Sequence, residues 1–308
     1  GDTVLIGNSF NSSSTGTTAG NFTPNCIPIS CPAPDSLSAS SITATTATLN
    51  WTATGNSFQV SYGMPPFAPA SGTIANTTTT SHPITGLSGN TQYGFYVREI
   101  CSVGDTSLWN GPYTFYTLCT TVSLPFYDNL DGPTWTPDDI SFSPVNDEID
   151  QCWTRTPASS SSYSWRVRSI ATGSSSTGPN ADYSGTGSYI YTEASSGSSG
   201  SQAEILSPAI DLSTAVDPYL RFAYLFYGTQ IDVMYVEGYD GTTWTTLDSI
   251  VGQQQTSGTT WADTLVSLSS YTGTASFQFR MRAISMGCCA GDMALDEFAV
   301  FDSASVAC

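Results

Sequence analysis

Residues 277–283 read Phe277-Gln-Phe-Arg-Met-Arg-Ala283, in which apolar side chains alternate with polar ones. Successive side chains of a strand point to opposite faces of a sheet, so this segment has one apolar and one polar face. That is the pattern of a strand with one face on a core and the other in solvent. The segment therefore predicts a sandwich of two β-sheets.

The same period of two recurs along the chain. It is found in residues 47–51, 58–62 and 93–97 of the first half and in residues 220–227 and 231–235 of the second. Gly, Pro, Ser and Thr are abundant, whereas Lys is absent and Glu occurs only six times, which leaves little material for exposed helices. Pattern and composition together predict an all-β, loop-rich, extracellular protein.

The charge of the chain excludes several partners. Its 308 residues carry 25 acidic side chains against seven Arg, for a formal net charge of -18. Binding to a phosphate backbone needs clustered cations, so nucleic acid is excluded, and so is attraction to an anionic membrane surface. No apolar run approaches the roughly 18 residues of a membrane span, and we expect any secretion signal to have been removed.

Eight cysteines, an even number, favour disulfides in an oxidising compartment. They are Cys26, Cys31, Cys101, Cys119, Cys152, Cys288, Cys289 and Cys308. Zinc is the weaker interpretation, because Cys288 and Cys289 are adjacent and the one histidine, His82, is remote from them. A boundary just after Cys119 leaves four cysteines in each half, which permits pairing within each half.

The length predicts two domains. We expect a Ser/Thr/Gly-rich segment over residues 1–30, a first module over 31–119 and a second over 120–308. The linker at 120–123 is short and contains no Gly or Pro, so it should hold the two modules at a restricted angle.

The first module contains a pair of residues typical of one kind of β-sandwich. Leu87 followed by Tyr93 at the start of a strand is the layout of a tyrosine corner, in which the phenol bonds back to the preceding backbone. Together with Trp51, Tyr62 and residues 91–97, this pair resembles the pattern of a fibronectin type III domain. The resemblance implies an Ig-like sandwich, a spacer or binding role, and no catalytic residues. It also implies a disulfide between Cys31 and Cys101, and leaves Cys26 and Cys119 undecided.

The second module contains a longer series of landmark segments. They are Phe126-Tyr-Asp-Asn-Leu130, Trp153, Gly178-Pro-Asn-Ala-Asp182, Gly187-Ser-Tyr189, Leu206-Ser-Pro208, Asp211-Leu212, Leu220-Arg-Phe222, Trp244, Trp261 and Gly291-Asp-Met-Ala-Leu-Asp296. In this order they resemble a MAM-type jelly roll, an adhesive domain. The cysteine positions depart from the animal pattern, so the pairing of Cys152, Cys288 and Cys289, which we expect to be disulfide-bonded, stays open. The two modules together are similar to large surface proteins of Bacteroidetes-type bacteria, in which Cys308 would precede a further unit of a longer array.

Candidate catalytic groups are scarce. Nucleophilic hydrolysis needs a positioned base, and His82 lies in a predicted loop without a nucleophile signature. The absence of Lys excludes Schiff-base chemistry. A glycosidase needs two carboxyl groups that face each other in a cleft, and the sequence does not identify such a pair among its 19 Asp. We therefore expect no enzymatic activity.

Calcium is the predicted cofactor, in a structural role. A hard cation needs six to eight oxygens, and jelly rolls often hold one between the first strand, a loop and the last strand. Carried over from the resemblance, the candidate ligands are Asp128, Asp131, Asp182, Asp292 and Asp296.

Two further features concern glycans. The triplet Asp-Ser/Thr-aliphatic resembles the O-glycosylation motif of exported Bacteroidetes-type proteins, and it makes Thr3, Ser36, Ser249, Thr264 and Ser303 candidate acceptors. Sugar binding would use exposed aromatic rings. We expect the rings of Trp51, Trp153 and Trp244 in the core, and those of Trp109, Trp135, Trp165 and Tyr227 as candidates for a ligand face.

The sequence thus predicts a non-catalytic extracellular or cell-surface adhesion or spacer segment. Its expected partners are cell-surface proteins or glycans, without nucleic acid or membrane insertion. The alternatives are an accessory carbohydrate-binding region of a secreted hydrolase and a self-associating subunit of a surface fibre.

Overall fold

The computed structural model describes residues 31–140, 146–158, 163–174, 176–287 and 289–305. Regular structure in these ranges is almost entirely β-strand, and the helical turns there are three short 3₁₀ segments. None of them has the length or apolar character needed to cross a bilayer. The predicted all-β class is confirmed.

Eight strands build the first sandwich. They are β1 (Asp35–Ser40), β2 (Thr46–Thr52), β3 (Phe58–Gly63), β4 (Thr73–Thr77), β5 (Ser81–Thr85), β6 (Gln92–Ser102), β7 (Asp105–Thr106) and β8 (Asn110–Tyr116). One layer has the order β1-β2-β5, and the other has the order β4-β3-β6-β8 with the short β7 paired to the end of β6. These pairings are antiparallel.

The core of this sandwich follows the predicted period of two. Leu49 and Trp51 from one layer and Phe58, Phe95 and Val97 from the other are almost completely buried. The rings of Trp51 and Phe58 meet edge to face with centroids 5.5 Å apart, a favoured aromatic geometry. Alternating residues of the same strands face solvent or are only partly covered.

A tyrosine corner closes one end of this sandwich. The phenol oxygen of Tyr93 accepts a hydrogen bond from the backbone N–H of Ser88 at 3.0 Å. Its ring stacks on Phe115 with centroids 6.3 Å apart. The predicted tyrosine corner is therefore confirmed.

Thirteen strands in the described residues build the second sandwich and its entry. They are β9 (Val122–Ser123), β10 (Phe126–Asp128), β11 (Thr154–Thr156), β12 (Trp165–Arg168), β13 (Tyr189–Thr192), β14 (Gln202–Leu206), β15 (Ile210–Asp211), β16 (Pro218–Tyr227), β17 (Ile231–Tyr239), β18 (Trp244–Val251), β19 (Ala262–Ser267), β20 (Gln278–Ser285) and β21 (Asp292–Asp302). One layer has the order β12-β13-β21-β16-β19, with β10 also on β21, and the other has the order β11-β14-β20-β17-β18. A short parallel pair joins β9 to β15.

The alternating segment at residues 277–283 lies mostly in β20. Phe279, Met281 and Ala283 have no exposed surface, whereas Arg280 and Arg282 between them are partly exposed on the outer face. Across the core the ring of Trp153 packs against several aromatic rings. Its neighbours are Phe126 at 6.3 Å, Trp135 at 5.7 Å, Phe279 at 5.6 Å and Phe298 at 5.1 Å between centroids.

The junction between the sandwiches is short and covalently closed. Leu118 donates its N–H to Thr43 in the first sandwich, and Val122 donates its N–H to Ala209 in the second. Between these two anchored positions lie three residues, of which Cys119 forms a disulfide with Cys152. Pairing within each half was therefore wrong for these two cysteines, because their bond crosses the boundary. The pairing of β9 with β15 is what brings the chain onto the second sandwich at this point.

Candidate functional site

The five aspartates predicted to bind calcium do not converge on one point. In the ranges that the structure describes, no three His, Cys, Asp or Glu side chains are grouped so that they could hold a metal ion. The five lie instead in separate polar clusters at different places on the second sandwich.

Asp128 acts as an acceptor for two indoles. One carboxylate oxygen accepts the Nε1–H of Trp153 at 2.8 Å and of Trp135 at 3.3 Å, and the other accepts the N–H of Leu130 at 3.0 Å. Burial raises the pKa of Asp128, while these donors oppose the rise. Its oxygens are committed to protein donors, which makes the residue part of the core.

Asp131 fastens the loop after β10 to the entry of β13. It accepts the N–H of Ser188 at 2.7 Å and the side-chain amide of Asn129 at 2.7 Å. Gly187 makes this contact possible, because a Cβ at that position would lie 1.9 Å from the Asp131 Oδ1. A glycine is required at this position because the backbone lies so close to the Asp131 carboxylate, and not because of its backbone torsion angles.

Asp182 and Asp296 form a buried acidic pair. Asp296, on β21, accepts the backbone N–H of Tyr183 at 2.9 Å, and Asp182 accepts the N–H and the hydroxyl of Ser184. Both side chains are almost fully buried, and the Oδ1 of Asp182 has no partner among the described residues. Burial, supplemented by the charge of Asp182, raises the pKa of Asp296 to about 8. A buried carboxylate oxygen without a donor is costly unless a cation or a proton satisfies it.

A small cavity is lined by Asp182 of this pair. Its volume is about 200 Å³, and its lining includes Asp182, Tyr183, Asn180, Gly258 and Trp261. The ring of Trp261 contacts that of Tyr183 edge to face, and its Nε1–H donates to the carbonyl of Ala181 at 3.2 Å. The cavity thus combines one aromatic wall with one carboxylate.

Asp292 belongs to a second buried pair, with Glu193. It accepts the N–H of Ala194 at 3.0 Å and the hydroxyl of Thr177 at 2.9 Å. Burial and then the charge of Glu193 raise the pKa of Asp292 well above its usual range. The Oε2 of Glu193 is buried without a hydrogen-bond partner in the described residues. Sequence reasoning missed Glu193, although an acidic residue directly after the apolar strand β13 is a signal for it.

The aromatic predictions are partly wrong. Trp51 and Trp153 are buried as expected, but Trp135 and Trp165, proposed for a ligand face, are also buried, at 5% and 0% exposure. Trp244, expected in the core, lies partly exposed on the outer face of β18. The four residues of β12 are all buried, so this strand has no solvent-exposed face from which Trp165 could contact a ligand.

Trp109 and Tyr227 are both partly buried. The guanidinium of Arg98 lies 4.6 Å from the centre of the Trp109 ring, and Tyr227 packs against a small aromatic cluster that includes Trp261. Each of these two rings is therefore already in contact with another side chain of the protein.

The candidate glycan acceptors differ in accessibility. Ser36 and Ser249 are exposed, and in each case the backbone N–H of the serine bonds to the preceding aspartate. Thr264 and Ser303 are partly covered, and the hydroxyl of Ser303 donates to Asp217 at 2.5 Å. Thr3 lies outside the described residues. O-glycosylation stays a prediction.

The remaining cysteines and the histidine complete the inventory. Cys31 and Cys101 form the expected disulfide at one pole of the first sandwich. Cys26, Cys288 and Cys308 lie outside the described residues, and Cys289 lies exposed in the turn before β21. His82 was expected in a loop, but it lies in β5 opposite Leu49, and partial burial lowers its pKa.

Two sandwiches with these cores and this junction define a modular protein of the fibronectin type III plus MAM class. Residues 32–122 match the fibronectin type III domain model, and residues 146–305 match the model described as MAM domain, meprin/A5/mu. The chain belongs to the MAM domain family. No curated protein matches the chain.

Several solved structures resemble the chain in fold. The K1 cleaved adhesin domain of Lys-gingipain from Porphyromonas gingivalis W83 is 14% identical and has a TM-score of 0.39, with 58% of this chain and 98% of that chain covered. A structure of carbohydrate-binding modules from the β-sandwich superfamily is 11% identical with a TM-score of 0.34, and the match covers 88% of this chain and 99% of that chain. The FN5 domain of Drosophila Lar is 13% identical with a TM-score of 0.26, over 29% of this chain and 99% of that one. These weak likenesses concern the fold, so the function is argued from the residues.

Proposed function

We propose that the chain is a non-catalytic adhesion or spacer segment at a cell surface, in which two sandwiches are held in a fixed relative orientation. A fibronectin type III domain followed by a MAM domain, with two disulfides, fits a non-catalytic extracellular module. The observation that carries the finer proposal is the Cys119–Cys152 bond across the junction. A covalent bridge beside a three-residue connection suppresses the domain motion that a plain linker would allow.

The partners proposed for this segment are proteins or glycans of an opposing cell surface. The experiment attaches the full chain to beads through one terminus and counts the beads retained on cells under flow. We expect retention above that of beads coated with heat-unfolded chain. Equal retention for folded and unfolded chain would contradict the adhesion proposal and leave only a spacer role.

We also propose that the second sandwich uses calcium as a structural ion, held with the help of Asp182 and Asp296. The supporting observation is the unpartnered, buried Oδ1 of Asp182 beside a second carboxylate. Carboxylate oxygens are the ligands that calcium prefers, and the ion would supply charge neutralisation between a loop and β21. Asp128 and Asp131 are less suited, because protein donors already occupy their oxygens.

Thermal unfolding tests the calcium proposal. An ion that binds the folded state raises the unfolding temperature by mass action, so we expect EDTA to lower it and added CaCl₂ to restore it. In Asp182→Asn/Asp296→Asn this response should vanish, whereas Asp105→Asn in the first sandwich should retain it. An unfolding temperature indifferent to EDTA and calcium in the unaltered chain would refute the site.

Carbohydrate binding is a second candidate function, favoured by the outer face of β17, β18 and β20. There the rings of Trp244 and Tyr239 stack with centroids 5.0 Å apart, next to the guanidinium groups of Arg280 and Arg282. Aromatic rings beside hydrogen-bond donors on an exposed sheet suit a sugar chain. Trp244→Ala should then abolish retardation of the chain in polysaccharide-containing gels, and unretarded migration of the unaltered chain in a panel of such gels would refute this function.

A further inference from the structure

The first sandwich contains an acidic side chain at a position that belongs to its core. On β6 the inward-facing residues are Tyr93, Phe95 and Val97, and the next residue of the same phase is Glu99. Its side chain is 6% exposed and lies opposite the buried Phe58 of β3. A carboxylate at an inward-facing position of a strand is costly to bury unless a cation or a hydrogen-bond donor is paired with it.

The carboxylate of Glu99 has no hydrogen-bond donor among the described residues. Its Oε2 is buried without a partner. Its Oε1 lies 3.6 Å from the Sγ of Cys101, but that sulfur is part of the Cys31–Cys101 disulfide and carries no proton to donate. The group is held in place by contact, because a Cβ on Gly55 would lie 1.8 Å from Oε1.

A cavity opens at this pole, and Glu99 is part of its lining. The cavity has a volume of about 320 Å³, and its walls come from the start of β1 and the end of β2: Pro32, Ala33, Asp35, Thr52, Ala53 and Thr54. The walls are mostly apolar, with a second carboxylate, that of Asp35, among them. Residues 31–119 contain three acidic side chains in all, and two of them line this one cavity.

The described part of the first sandwich supplies no cation to this site. It contains no Lys, and the one Arg of the first sandwich, Arg98, donates to Gln59 and lies over the ring of Trp109. Residues 1–30 contain no Lys, Arg or His. Among these residues Glu99 therefore has no complementary charge, and a cation from another molecule would supply one.

We propose that this cavity binds a lysine side chain of a partner polypeptide, with the ammonium group on Glu99. Apolar walls suit the methylene stem of lysine, and the carboxylate suits its charged end. Lysine fits better than arginine, because Oε2 of Glu99 is buried and Oε1 faces Cys101 and Gly55, whereas a guanidinium needs both oxygens accessible for its two-pronged contact. The net charge of -18 would also accelerate encounter with a basic partner.

This inference goes beyond the proposed function, since the site can exist whether or not the chain mediates adhesion. The probe is Nα-acetyl-L-lysine N-methylamide, titrated into the ¹⁵N-labelled full chain and followed by two-dimensional amide spectra. We expect saturable shifts of Ala33, Ala53, Thr54 and Gly55, with a Kd on the order of millimolar for one side chain. The neutral analogue, Nα-acetyl-L-norleucine N-methylamide, should cause none.

Matched variants isolate the carboxylate. Glu99→Gln keeps the shape of the side chain and should weaken binding at least about tenfold, the change expected from losing one charged hydrogen bond. Asp105→Asn removes the third acidic side chain of this sandwich, away from the cavity, and should leave binding unchanged. The dispersion of the amide spectrum shows directly whether each variant is folded.

Four outcomes would overturn the proposal. Equal shifts with the norleucine analogue would show a merely apolar cavity, and binding that survives in Glu99→Gln would remove the role of the carboxylate. Tighter binding of the corresponding arginine derivative would reassign the site to a guanidinium. An absence of saturable shifts at about 50 mM lysine derivative would show that the cavity takes no such cation.

Discussion

Arg280 lies between Trp244 and Glu237 on the outer face of the second sandwich. Its guanidinium carbon is 4.3 Å from the centre of the Trp244 ring, and its Nε donates to Glu237 Oε2 at 2.7 Å. Arg282 donates to the other oxygen of the same carboxylate at 2.7 Å. Glu237 is thus the anion that orders two cations on this face, one of which lies over the ring of Trp244.

Replacement of this anion should destabilise the fold. Glu237→Gln leaves two partly buried guanidinium groups facing a neutral amide, so we expect a loss of about 2 kcal/mol in the free energy of unfolding, measured with urea. Glu204→Gln is the control. Glu204 is more exposed than Glu237, and it forms an ion pair with Arg280, at 3.2 Å, but not with Arg282. Its effect should stay below about 1 kcal/mol. A larger loss for Glu204→Gln than for Glu237→Gln would contradict this assignment.

The same carboxylate predicts an acid-dependent stability. Burial would raise the pKa of Glu237, but Arg282 and Arg280 outweigh it and lower the pKa below its usual value. A depressed folded-state pKa contributes stability above the unfolded-state pKa and loses it as the pH falls through the folded-state value. The difference between the unaltered chain and Glu237→Gln should therefore be constant above about pH 5.5 and shrink towards pH 3, in urea titrations at several pH values. A difference that grows on acidification would have the wrong sign.

Removal of the junction disulfide should change both stability and shape. The bond closes a sequence separation of 33 residues, and chain entropy predicts a loss of about 4 kcal/mol in Cys119→Ser/Cys152→Ser. Small-angle X-ray scattering should also show a broader range of overall dimensions. In Cys31→Ser/Cys101→Ser, whose bond lies within the first sandwich, scattering should keep the narrow range even where stability falls. Identical scattering profiles for both double variants would show that the disulfide does not fix the orientation.

Asp128 should matter more to the core than its position on a short edge strand suggests. Asp128→Ala leaves the buried Nε1–H groups of Trp135 and Trp153 without their acceptor, so we expect a loss of about 3 kcal/mol in chemical unfolding. Its neighbour provides the comparison: Tyr127→Phe removes an exposed hydrogen bond to Glu297 and should cost less than about 1 kcal/mol. Equal losses in the two variants would disprove the role of Asp128 as an indole acceptor.

Glycosylation should be confined to accessible acceptors. Ser36 and Ser249 are exposed, whereas the hydroxyl of Ser303 is bound to Asp217. We therefore expect the intact mass of chain purified from its native host to exceed the polypeptide mass, and Ser36→Ala/Ser249→Ala to lose most of the excess. Ser303→Ala should leave the mass excess in place. A mass equal to the bare polypeptide would refute O-glycosylation altogether.

Much of the fold could be predicted from local patterns, because one buried face forces a period of two. The pattern of residues 277–283 gave the faces of β20 correctly, and Leu87 with Tyr93 gave the tyrosine corner. Trp165 was misplaced because β12 is covered on both faces, and periodicity cannot distinguish a loop-covered face from a solvated one. Trp244 was misplaced because it pairs with Tyr239 on the outer face of β18, a matter of register that the sequence does not display.

The site was harder to predict than the fold. The five aspartates share a residue type, but Asp131 and Asp182 lie in loops whereas the other three lie on β10 and β21, so their carboxylates meet different surroundings. Asp128 turns towards two indoles, whereas Asp182 turns towards Asp296. The burial of Glu99 could have been predicted, because Glu99 follows Tyr93, Phe95 and Val97 at the same spacing of two residues and so lies on the same buried face of β6. A pattern of alternating apolar residues does not by itself draw attention to an acidic residue in an apolar position.

The Cys119–Cys152 bond also determines how the molecule would carry mechanical tension. A pulling force applied across the two sandwiches enters the second one through a covalent bond at Cys152, directly before β11, and bypasses the hydrogen bonds of β9 and β10. Without the disulfide, the force would break these hydrogen bonds one after another, because β9 is only two residues long. With the bridge intact, the load falls on β11 and through it on β14, which lies beside β20 in the sheet. The weakest strand pairing at the junction is thereby removed from the load path.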